Sequence, residues 1–229
     1  MSTHKDTEQP FPISVGLTAT DMKATLAFYR DRLGFKLSET WPSESDPMWM
    51  SLVLDRQALM FGKAMTSSQC DQMMAQNPAA ARFWSGRAAA WSGNAHGVGV
   101  NIYIAVPDVD AYAKQLARRG VEVALPPTSQ FYGLRDIVLT GPDGYVLTFY
   151  TPITLSSCQS CGMPLTEAKP GQMYCPYCCD EQGHLRPYEQ VFEGTVTGFF
   201  MAMQKMPRQQ AEQAAREHLS KMPAWAARK

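Results

Sequence analysis

Two pairs of cysteines, Cys158-Gln-Ser-Cys161 and Cys175-Pro-Tyr-Cys178, are the residues whose type and spacing most directly imply chemistry. Thirteen residues separate the pairs. Each pair can present two thiolates from one tight turn. The two turns together can close a tetrahedral site of four sulfurs, the arrangement of a structural zinc ion with no position open for water or substrate. Gly162, directly after the second cysteine, frees the backbone to curl and point N–H groups at sulfur. Cys179 follows the second pair as an alternative ligand or a bystander, and His184 stands where it could replace one thiolate. Paired Cys-x-x-Cys redox chemistry is the competing reading, and two pairs at this spacing favour metal. Cys70 has no histidine near it in sequence and reads as a plain thiol rather than a nucleophile.

The elements that must position these residues fit one medium and one small domain. The chain has 229 residues, 45% of them hydrophobic and 18% charged, with formal net charge zero. That composition is globular. Neither a basic block nor an acidic tail is present, and only Lys169 and Arg186 are basic between Cys158 and Pro187, so nucleic acid is not an expected partner. No apolar run is long enough to span a bilayer, and the stretch Met1 to Pro10 is polar, unlike a secretion signal. The cytoplasm is the expected compartment, and reduced thiols there favour metal over disulfides.

The first 150 residues repeat themselves. A strand-like run from Val15 meets Asp21, a good N-cap; a helix over Met22–Leu33 places Leu26, Phe28, Tyr29 and Leu33 on one side; Gly34 stops it. A second run from Val100 meets Asp108, a helix with Val109, Tyr112, Leu116 and Ala117 follows, and Gly120 stops it. Asp21 and Asp108 are 87 residues apart, Gly34 and Gly120 86. Strands are expected at 35–41, 48–54 and 57–62 in the first half and at 121–125, 134–140 and 145–150 in the second. Turns are expected at Asp55-Arg56 and Gly141-Pro-Asp-Gly144. Each half reads βαβββ, a curved sheet covered by its helix on one face and open on the other.

This duplication resembles the glyoxalase/bleomycin-resistance/extradiol-dioxygenase superfamily, also called vicinal oxygen chelate proteins. The resemblance rests on Asp21 with Phe28-Tyr-Arg-Asp-Arg-Leu-Gly-Phe35, on Pro107-Asp-Val-Asp110, and on Tyr132-Gly-Leu-Arg-Asp136 followed by Gly141-Pro-Asp-Gly-Tyr145. It implies an α+β domain over 11–153, with modules at about 11–63 and 97–153 joined by a long connection, 64–96, and it makes a homodimer plausible. Metal-using members carry His, Gln or Glu on the first and last strands of each module. The corresponding positions here are Ser14, Met60, Asn101 and Thr148, which cannot supply three strong ligands. The resemblance therefore leans toward metal-free, bleomycin-resistance-type members that bind and sequester a small organic ligand, and away from an enzyme. A superfamily enzyme (lyase, dioxygenase or isomerase type) whose active residues do not map is the alternative, with Asn101, Tyr132 and Arg135 as first suspects.

Ser14, Trp49, Asn101, Tyr103, Thr148 and Tyr150 are expected to face the open cleft, with Tyr132 and Arg135 leading toward it. Aromatic walls with a few hydroxyl and amide groups suit a planar or amphipathic ligand, and a carboxylate or phosphate would suit Arg135. His96, in a Gly-Asn-Ala-His-Gly loop, reads as a solvated loop residue, with ligand or general base as its alternative. The 64–96 connection has helix-like stretches at 68–76 and 79–90 and scattered methionines and aromatics, and is expected to cover the cleft or a second subunit.

After a linker at 151–157, the cysteine pairs with Gly162-Met-Pro-Leu165, Gly183, Tyr188-Glu189 and Met222-Pro-Ala-Trp225 resemble a small bacterial zinc-ribbon domain. It implies a module within 154–229: a ribbon at about 156–186, then a two-helix tail, 187–229. Helices are expected at 188–204 and 207–221, with apolar stripes suited to core or to a protein partner. An adaptor that senses a ligand in the cleft and recruits a partner through ribbon and tail is a third reading of the whole chain.

Overall fold

A computed structural model describes residues 14–91, 96–226 and 228. Residues 11–13, where the first module is expected to begin, residues 93–95 of the His96 loop, and tail residues 227 and 229 lie outside the described residues.

The first module runs β1 (Val15–Ala19), α1 (Met22–Leu26) continued by a π-helical stretch (Ala27–Leu33), β2 (Lys36–Trp41), β3 (Trp49–Leu54) and β4 (Gln57–Lys63). The connection forms α2 (Ser67–Met73) and α3 (Pro78–Trp91). The second module runs β5 (Asn101–Ala105), α4 (Val109–Arg118), β6 (Leu125–Ser129), β7 (Leu134–Thr140) and β8 (Val146–Pro152). The sheet orders are β1-β4-β3-β2 and β5-β8-β7-β6, one pattern twice. β1 lies parallel to β4, pairing Gly16 with Met60, and β4-β3-β2 is antiparallel.

Local chemistry starts and stops these elements. The Asp21 carboxylate accepts from the N–H groups of Lys23 (3.0 Å) and Ala24 (2.9 Å), and Asp108 accepts from Ala111 N (2.9 Å), satisfying first-turn donors that have no helical partner. Gly34 takes φ +88°, the left-handed cap that other residues adopt only with strain. The sixth strand departs from expectation: 121–124 is irregular, and β6 begins at Leu125 and includes Pro126 and Pro127. An edge strand tolerates prolines because it need not donate on its outer side.

Alternation within strands sorts the two faces of each sheet. Leu17, Ala19, Met50, Leu52, Leu59 and Phe61 in the first module, and Ile102, Ile104, Ile137, Leu139, Leu147 and Phe149 in the second, are buried against Leu26, Tyr29, Leu33, Val109, Tyr112 and Leu116 of the helices in one shared core. The modules are also bridged reciprocally. Tyr145 OH donates to Thr18 O (3.1 Å) and accepts from Thr18 N (3.2 Å). The Gln57 side chain donates to Ala105 O and accepts from Ala105 N, both at 2.8 Å. Thr18 and Ala105 are 87 residues apart and Gln57 and Tyr145 are 88, so the bridges occupy repeat-equivalent places.

The chain divides into two compact units, residues 1–126 with 137–149, and residues 127–136 with 150–229. The second unit carries the cysteine turns, then α5 (Tyr188–Gly194) with a π-helical continuation (Thr195–Met201), α6 (Arg208–Leu219) and a 3-10 turn (Pro223–Trp225). No helix among the described residues is long and apolar enough to cross a membrane.

Candidate functional site

The open face of the first sheet is built from the alternate residues that the core leaves outward: Gly16 and Thr18 of β1, Trp49 of β3, Met60 and Gly62 of β4. Two helices cover it. Thr66 starts α2 with a capping box, its Oγ1 accepting from Gln69 N (3.2 Å) while Gln69 Oε1 accepts from Thr66 N (2.8 Å). Asn77 Oδ1 accepts from Ala80 N (3.1 Å) in the first turn of α3, and Ser67 Oγ donates to Ser85 O (3.0 Å), pinning the helices together. Trp84, Arg87, Ala88 and Trp91 follow the i, i+3, i+4, i+7 rule and share one face of α3. Between that face and the sheet lies a cleft of about 840 Å³, lined also by Lys63, Met65, Cys70, Phe83, His96 and Tyr145. Its size falls in the range of small-molecule sites.

His96 is a half-buried turn residue that lines the cleft. Its ring stacks on Trp91 with centroids 3.6 Å apart and planes 7° from parallel. At the adjoining Gly97 (φ +72°) a Cβ would collide with the carbonyl oxygen of Gly144, so the backbone beside His96 requires glycine. The α3 helix has no buried side chain, and Phe83 and Trp84 remain 57% and 47% exposed.

The expected cleft residues do not all converge. Trp49 lines the cleft beside Met60. Ser14 is exposed ahead of β1 and does not line it. On the second sheet Thr148, 1% exposed, donates from Oγ1 to Asn101 Oδ1 (2.8 Å), with Tyr103 half-exposed on β5. Tyr132, Arg135 and Tyr150 belong to the second unit. There Tyr132 OH donates to Asp136 Oδ2 (3.3 Å), Gln130 donates to Asp136 Oδ1 (2.9 Å), and Arg135 Nη1 donates to Ser129 Oγ (3.1 Å). Trp84, Arg87, Trp91 and His96 stand in the cleft; the sequence reading expected the 64–96 connection to cover the cleft or a second subunit but did not single these residues out as its lining, and the spacing of the first three along α3 is the signal that marks them.

The four cysteine sulfurs converge. Cys158, Cys161, Cys175 and Cys178 have Sγ atoms all within 4.8 Å of one another, with Cys161 and Cys175 at 3.7 Å. A tetrahedral ion with metal–sulfur bonds of about 2.3 Å sets its sulfurs about 3.8 Å apart, so this donor set fits zinc. Each turn is closed by its own backbone: Gly162 N donates to Cys158 O (2.8 Å), and Cys178 N to Cys175 O (2.9 Å). Cys175 N also donates to Cys158 Sγ (3.3 Å). S–H donation from Cys161, then from Cys175 and Cys178, holds the Cys158 thiol far below the ordinary thiol range. Cys179 turns away, its Sγ donating to Cys175 O (3.3 Å), and the exposed His184 ring lies 3.3 Å from Asp180 Oδ2, so neither joins the group.

The tail grips the first turn. His218 Nε2 donates to Cys161 O (2.7 Å), Trp225 Nε1 donates to Ser160 O (3.0 Å), and Ala224 N donates to Gln159 O (3.0 Å). Cys158, Cys175 and Cys178 pack with Val191, Leu219 and Trp225 in one small core.

A paired βαβββ fold followed by a four-cysteine turn module defines the class. Residues 13–149 match the family model of the Glyoxalase/Bleomycin resistance protein/Dioxygenase superfamily, and the chain belongs to that superfamily. Residues 157–226 match a zinc ribbon domain family. Among solved structures, the chain is similar to a glyoxalase/bleomycin resistance protein/dioxygenase from Nocardioides (20% identity, TM-score 0.44, covering 70% of this chain and 87% of that one). It is similar also to TnmS3, an antibiotic binding protein from Streptomyces sp. CB03234 (19% identity, TM-score 0.40, 59% and 90% covered), and to TioX from Micromonospora sp. ML1 (16%, 0.42, 60% and 95%). No curated protein matches the chain.

Proposed function

We propose that this chain binds a small organic molecule in the cleft beneath α3, and that a single zinc ion on Cys158, Cys161, Cys175 and Cys178 holds its ribbon together. The observation that carries the binding reading is the cleft itself, about 840 Å³ between the open face of the first sheet and an aromatic helix face. Its lining is mostly apolar with a few polar tips, the composition of a ligand site. The zinc reading rests on the four clustered sulfurs, and the ion's part is structural: four thiolates leave it no open position.

The test is a small-molecule panel read by thermal stabilisation, with recovery of the compound afterwards. Stabilisation by a compound recovered unchanged, lost in Trp84→Ala and Trp91→Ala, supports binding in this cleft. Consumption of the compound moves the protein to the enzymes of its superfamily. Stabilisation indifferent to both substitutions rules the cleft out.

A further inference from the structure

We propose, resting on the ligand-binding reading above, that the cleft selects a planar aromatic anion. Its walls are flat rings on opposed elements: Trp49 on the sheet, Trp84 and Trp91 on α3. The Trp91–His96 stack, 3.6 Å between centroids, makes one of these walls a preformed slab. A fused-ring ligand meets such walls face to face and orders few side chains on entry, whereas a bulky aliphatic one cannot lie flat against them.

The charge comes from two cations. Arg87 and Lys63 line the cleft, and among the described residues no aspartate or glutamate does. Lys63 is partly spoken for, its Nζ lying 3.7 Å from Asp46, outside the cleft. Arg87 has no carboxylate partner among the described residues; its guanidinium stands 5.9 Å from the Phe83 ring centroid. Arg87 is exposed at the rim of the cleft, and its planar fork matches a carboxylate or sulfonate. A cationic ligand of the same shape would meet Arg87 and Lys63 with no acid in the lining to offset the repulsion.

The experiment uses the full-length, zinc-loaded protein and two fluorescent probes of similar ring size, anthracene-2-carboxylate and the planar cation 9-aminoacridine, titrated by anisotropy. The carboxylate is expected to bind at least tenfold more tightly. Arg87→Gln should weaken the carboxylate about tenfold and leave the cation unchanged or tighter, and Arg87→Lys should restore part of the difference. Trp84→Ala should weaken both probes. Arg87 sits on a helix with no buried side chain, so these variants keep the fold, which circular dichroism checks. Equal affinity for the two probes, or an Arg87→Gln variant with an unchanged ratio, overturns the charge selection while leaving a cleft that binds. Binding of neither probe overturns it as well, and the compound panel then decides separately whether the cleft binds anything.

Discussion

Replacing Trp225 by phenylalanine removes one N–H and keeps most of the ring. The indole donates to Ser160 O across 3.0 Å, and Ser160 is fully buried between Cys158 and Cys161. Without its donor, that carbonyl is left unsatisfied beside the metal turn. The penalty for such a loss is ~1–2 kcal/mol, about 5- to 30-fold in an equilibrium constant. Because the metal and the folded turn form together, the cost appears in zinc affinity. Competition between the full-length protein and a chromophoric chelator should show Trp225→Phe holding zinc 5- to 30-fold more weakly. Trp225→Ala should fall further, since it also loses the edge-on contact with Tyr188, ring centroids 5.1 Å apart. Arg228→Ala is the control: its ion pair with Glu189 (2.6 Å) is exposed, and its loss should change affinity less than threefold. A Trp225→Phe protein that holds zinc within twofold of the parent would refute the grip of the tail on the turn.

Three further outcomes are expected. Purified protein should contain one zinc per chain, absent from the Cys158→Ser/Cys161→Ser variant, and affinity should fall as pH is lowered because protons compete for the thiolates; elemental analysis and a pH series check both. Tyr145→Phe, which strips both bonds from Thr18, should lower the unfolding free energy of the first unit by ~1–3 kcal/mol, and Gln57→Leu should do the same at Ala105; urea denaturation measures each. Gly97→Ala combines a strained φ with a backbone collision, and should cost ~1–3 kcal/mol and disturb His96 in the cleft, read as lost Trp91 quenching on ligand addition.

Legibility followed locality. Asp21 and Asp108 are visible in sequence because an N-cap is decided within three residues, and their spacing carries the duplicated fold with it. The four cysteines are visible because the spacing is itself the site. β6 was displaced by four residues because Pro126-Pro127 reads as a break unless the strand is known to lie at an edge. The π-helical turns at Ala27–Leu33 and Thr195–Met201 depend on a one-residue change of hydrogen-bond register that side-chain pattern does not encode. In the cleft, parity along β3 pointed to Trp49. The opposite wall came from the connection, where a helix was visible but the sheet face it covers was not. His218 was legible only as part of a helical tail, and Trp225 only as part of the segment that carries the zinc-ribbon resemblance; that their polar atoms reach the carbonyls of the cysteine turn is tertiary information.

The absence of any buried side chain along α3 has a kinetic meaning. A helix held chiefly by α2 and by its exposed aromatic face has little burial opposing its departure from the sheet, so it belongs to the low-stability end of the molecule. In the binding proposed above, a guest would enter by lifting the helix, a motion of the microsecond-to-millisecond kind, without unfolding the module beneath. Once inside, the guest would supply the apolar surface that the helix otherwise lacks. Residence time would then be set by the guest: compounds wide enough to touch both Trp49 and Trp84 would hold the roof down, and narrower ones would leave as fast as it rises.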